Sequence, residues 1–79
     1  MAKTEVEVTT EAVKTIADIM VDPNGQRRQE RAVHAASIAR AAAVGARQVA
    51  NASPTIDALQ NATIAEEMAN IAERMVALL

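Results

Sequence analysis

Residues 4–9, Thr4-Glu5-Val6-Glu7-Val8-Thr9, alternate polar and apolar side chains. A period of two predicts a short strand over 4–8. The period then lengthens. Val13, Ile16, Ile19 and Met20 fall on one helical face, which predicts a helix over 10–21, with Thr9 or Thr10 as its cap and Glu11 favouring its dipole. Asp22-Pro23-Asn24-Gly25 is a turn, because proline presets φ and glycine is permissive. A long helix follows, about 26–52. Ser53-Pro54 ends it and opens a last helix over about 54–78, with serine as N-cap and proline in the first helical position.

The two long helices carry matched alanine stripes. Ala32, Ala36, Ala39, Ala43, Ala46 and Ala50 recur at alternating steps of four and three, as do Ala58, Ala62, Ala65, Ala69, Ala72 and Val76. Folding the chain back at Ser53-Pro54 sets Ala50 opposite Ala58 and Ala46 opposite Ala62. The remaining pairs follow in order to Ala32 and Val76. Such a seam brings helix axes to the short end of the ~8–10 Å range. The fold class expected is all-α: an antiparallel helical hairpin with an alanine seam, preceded by the strand and the short helix, within a single domain spanning 1–79.

One residue before the seam the hairpin is apolar: Ile38 and Val49 on the second helix, Ile64, Met68, Ile71, Met75 and Leu78 on the third. One residue after it stand Arg40 and Arg47, facing Glu66, Asn70 and Glu73. By height, Arg40 is expected to reach Glu66 or Asn70. A layer with one greasy face must be covered, and a 12-residue helix is short for the task. The seven apolar residues are therefore expected to form an oligomer interface, completing a homodimeric helical bundle in which residues 4–8 of two chains pair across the two-fold.

Composition strengthens the case for association. Of 79 residues, 19 are Ala and none is Phe, Tyr, Trp or Cys. Alanine buries little area at ~25 cal/mol per Å², and no disulfide is available, so regular helix packing or oligomerisation must stabilise so small a chain. The uncharged apolar run from Ala41 to Ala46 is far short of the ~20 residues that span a bilayer. MAKTEVEVTT lacks the apolar core of a signal peptide. A cytoplasmic location with no membrane partner is expected.

Reactive groups are scarce. His34 is the single imidazole, and with Glu30 one turn earlier it supplies two metal ligands where a catalytic site wants three. No Cys, no serine motif beside a base and no glycine-rich phosphate loop are present. Neither catalytic nor metal-binding residues are assigned, no cofactor is expected, and the chain is expected not to be an enzyme. The charge, −2 overall, is uneven: residues 1–25 carry −3, residues 26–47 carry +4 and residues 48–79 carry −3. Arg27, Arg28 and Arg31 crowd a helix N-terminus, where positive charge is disfavoured. That placement makes them the candidate partner-binding residues, suited to an acidic protein surface.

These features predict a protein-binding module whose first partner is itself, serving as assembly subunit, adaptor or inhibitor. The alternative is a DNA-binding repressor. The order strand 4–8, helix 10–21, Asn24-Gly25 turn, arginine-led helix resembles the ribbon-helix-helix family over about the first 45 residues. The resemblance implies a dimer that lays a paired-strand ribbon in the major groove. The chain departs from that pattern in a longer second helix and in Glu5, Glu7 and Thr9, which would face the DNA with the wrong charge.

Overall fold

A computed structural model describes residues 3–79. It holds three helices, α1 (Glu5–Val21), α2 (Arg28–Ala52) and α3 (Ile56–Ala77), and no strand among the described residues.

The expected strand over 4–8 is instead the first turn of α1. The Thr4 hydroxyl accepts the Glu7 amide at 3.2 Å, and the Val8 amide donates to the Thr4 carbonyl at 3.0 Å. Glu5 and Glu7 then sit at the helix start, where its dipole favours negative charge. Thr9 is buried as a helical residue, not a cap, and its hydroxyl donates to the carbonyls of Glu5 and Val6. An isolated strand would leave its hydrogen-bonding edge unpaired; the helix satisfies the same backbone groups internally. The longer α1 buries Thr9, Ala12, Ile16 and Ile19, a third stripe with steps of three, four and three.

The turn after α1 uses different residues from those expected. Asp22 accepts the Asn24 amide at 3.0 Å, yet the left-handed position falls on Arg27, at φ 55°, and neither glycine has positive φ. Arg27 is the N-cap of α2 with no side-chain cap bond. Two residues of expected helix, Gln26 and Arg27, are therefore turn. A Cβ at Gly25 would lie 2.5 Å from the Arg31 guanidinium, the tip of a long side chain that would have to move aside. At the next junction Thr55, not Ser53, caps α3 by accepting the Ala58 amide at 3.0 Å, so Pro54 precedes the helix instead of opening it.

α2 and α3 run antiparallel, and α1 packs against both. Every seam alanine of α2 is buried, as are Ala62, Ala65, Ala69 and Ala72 of α3; Ala58, beside the turn that joins the two helices, and Val76, at the seam's open end, are half-buried. The stripe of α1 closes over them to form one core. Its largest fully buried side chains are only Ile16 and Thr9, so the core is built from close helix approach with little bulk.

Two links hold α1 in place. At its C-terminus, Arg28 donates to the Ile19 carbonyl through Nε (3.1 Å) and Nη2 (2.9 Å), and to the Met20 carbonyl at 3.2 Å. The Ile19 carbonyl otherwise accepts only the longer bond from the Asp22 amide, at 3.3 Å, and a cation at a helix C-terminus suits the dipole. At its N-terminus, Asn61 of α3 donates to the Glu5 carboxylate at 3.0 Å. Replacing Arg28 with Ala is expected to cost about 1.5–3 kcal/mol, as for hydrogen bonds to charged groups, whereas Arg27→Ala stays within about 0.5 kcal/mol as a surface change. Urea unfolding of the two variants side by side measures the difference, and equal midpoints would deny Arg28 its capping role.

Candidate functional site

Docking of α1 on α2 leaves a groove of about 530 Å³ between them. Its walls are Val8 and Ala12 from α1 and Ala35 and Ile38 from α2; Arg27, Glu30, Arg31 and His34 line one end, with Glu11 on the α1 side. Helical spacing explains the grouping, since 27, 31, 34 and 38 share one side of α2 at steps of three and four. Two of the three arginines singled out in the sequence thus meet in one groove with an apolar floor.

The third arginine does not. Arg28 turns to the end of α1 and is consumed by capping. Arg27 pairs weakly with Glu30, at 3.6 Å between exposed side chains. Arg31 donates Nε to the Gln26 carbonyl at 2.9 Å and has no carboxylate within ion-pair distance among the described residues. It is the cation in this groove with capacity to spare. Glu11 is engaged by Lys3, at 2.7 and 2.9 Å.

The expected interface row is divided by α1. Met68, Ile71 and Met75 are half-buried, and Met75 packs against the core. Ile38, Val49, Ile64 and Leu78 remain exposed, at 43%, 54%, 44% and 76%. The missed signal is the length of α1. A helix starting at Glu5 covers more of the hairpin than one starting at Thr10, and the Thr4-x-x-Glu7 capping pattern was the clue.

The opposite face carries an ion-pair ladder. Arg40 grips Glu73 with two hydrogen bonds (2.7 and 3.0 Å) and Asn70 with a third (2.6 Å). Arg47 grips Glu66 at 2.5 and 3.1 Å. Arg40 therefore reaches Asn70 as expected but takes Glu73, one turn beyond Asn70, in place of Glu66. These hydrogen bonds hold both carboxyls below the ordinary 4.5. A depressed folded value means the stabilisation is complete above the unfolded value and is lost as pH falls through the folded one. Stability should be level near neutrality and decline below about pH 4.5, modestly, because both pairs stand in solvent. The Glu66→Gln/Glu73→Gln double variant should flatten that decline in acid titrations followed by circular dichroism; an unchanged profile would place the acid sensitivity elsewhere.

Beyond these pairs the chemistry is sparse. No three His, Cys, Asp or Glu residues gather to hold a metal among the described residues, and no described helix is long and apolar enough to cross a membrane. Fold and site together define a small all-α protein with a face of paired charges and, outside it, exposed apolar side chains on α2 and α3. The chain matches no protein-family model, and no curated protein or solved structure matches it either.

Proposed function

We propose that this chain is a non-enzymatic interaction module that works by association, first with a second copy of itself, as an assembly subunit, adaptor or inhibitor occupying a partner's surface. The observation that carries the reading is the contrast between the faces. Arg40, Arg47, Glu66 and Glu73 neutralise one another on one side, while Ile38, Val49, Ile64 and Leu78 stay exposed on the others. Exposed apolar area of this kind marks interaction surfaces, and a core of alanine leaves a small chain with much to gain from burying it. Sedimentation equilibrium at micromolar concentration should report at least twice the 8.3 kDa chain mass; a monomer throughout the range would reject the proposal.

A second contact, to an acidic protein surface, is supported by Arg31, which lies in the groove without a carboxylate partner, beside Arg27. Arg27→Glu/Arg31→Glu should leave folding intact and abolish salt-sensitive capture of such a partner. The DNA-binding alternative loses its basis, because the ribbon it requires is the first turn of α1.

A further inference from the structure

We infer that the second copy docks on the outer face of α2, the two α2 helices crossing antiparallel about a two-fold axis at the height midway between Ala43 and Val44. This rests on the self-association proposed above and specifies where and in what register it occurs.

Three observations on α2 converge. Ile38, Ala42, Gly45 and Val49 follow one another at steps of four, three and four and so form one row, with Ile38 and Val49 about half exposed. Beside this row His34, Ala41, Gln48 and Ala52 are also exposed. From His34 to Ala52, some 27 Å of helix at ~1.5 Å per residue, this face carries no Asp, Glu, Lys or Arg, although the chain is 23% charged. Depletion of charge is the compositional mark of an interface core. The third observation is Gly45. Glycine inside a helix is destabilising relative to alanine, yet a Cβ here would meet nothing within 4 Å and φ is not positive. Nothing within the chain requires glycine at this position. The bare Cα leaves room for a helix backbone to approach closely from outside.

The row itself identifies the occupant. Read in either direction it runs large, small, small, large. Across a two-fold, Ile38 therefore lies opposite the partner's Val49, and Ala42 opposite the partner's Gly45. Self-complementarity of this kind is what an isologous contact demands, and a foreign partner would impose no such symmetry. Crossing geometry explains the order of sizes. Axes at an angle are closest at the centre, where Ala42 and Gly45 take least room, and diverge towards the ends, where Ile38 and Val49 fill the widening gap. A face without charge meets its own copy without like-charge repulsion.

The absence of cysteine makes cross-linking a clean test. Ile38→Cys and Val49→Cys chains, mixed and oxidised, should give a covalent dimer. Each variant alone should not, since like residues lie 11 positions apart, about 16 Å along the crossing helices, beyond the ~4.4–6.8 Å between Cα atoms that a disulfide spans. Independently, Gly45→Leu should keep or raise helicity, its Cβ entering open space, while weakening self-association at least tenfold by sedimentation. A wild-type dimer that resists the 38–49 cross-link and is unaffected by Gly45→Leu would overturn this register while leaving association standing. A wild-type monomer would remove both.

Discussion

Replacing Ile16 with Ala is expected to lower stability by about 2–5 kcal/mol, the range for large-to-small changes at buried isoleucine and leucine. The upper half of the range applies here. Ile16 is fully buried, and the core around it is largely alanine. Alanine has no side-chain torsion with which to move into a vacated space, so the cavity stays open and its lining loses dispersion contacts. A chain of this size has only about 4–12 kcal/mol in total, at 0.05–0.15 kcal/mol per residue. The loss should be visible as early unfolding in urea, with α1 detaching or the whole domain melting. A change under about 1 kcal/mol would show that α1 is held by its end contacts with Arg28 and Asn61, and not by its buried stripe.

The opposite change, adding volume to the seam, should be nearly as damaging. Ala39 and Ala69 are completely buried at facing positions on α2 and α3. Overpacking typically costs about 1–3 kcal/mol, and helices brought together by alanine on both sides have less slack than most. Ala39→Leu and Ala69→Leu should each lower the melting temperature by roughly 4–8 °C per kcal/mol lost, as for domains of 60–100 residues. Ala77→Leu, exposed near the end of α3, should melt like the wild type. If the two seam variants also did so, the pairing of the stripes would be wrong.

Both predictions depend on features of different legibility. The hairpin seam was readable because two long stripes share period, phase and length, and because Pro54 enforces a break between them. The ladder on its polar side was readable as a face, though not as pairs. Which carboxylate Arg40 takes depends on the reach of a long side chain, and a shift of one helical turn decided it. The N-terminus was misread for a physical reason. Thr4-Glu5-Val6-Glu7-Val8 satisfies the alternation of a strand, and over five residues that pattern competes evenly with a capped first turn. Packing settled the competition, since a strand would have had no neighbour to pair with.

The candidate site was half legible. Arg27, Arg28 and Arg31 stood out as cations at a helix start, and nothing in their spacing distinguished the one that caps α1 from the two that line the groove. That distinction needs the carbonyls of Ile19 and Met20, nine and eight residues earlier in the chain, to be brought alongside α2. Gly45 was visible in the sequence only as one more small residue. That its Cβ direction is open is a fact of the folded chain.

What the sequence by itself determined is the all-helical hairpin, the alanine seam and the separation of a charged face from an apolar one. All of these follow from side-chain periodicity along single helices, a local property of backbone geometry. The tertiary structure alone decided where α1 begins, which arginine is consumed in fastening it, and which apolar side chains remain exposed. These are non-local, because each depends on which surfaces are left once three helices have competed to bury the little bulk the chain possesses.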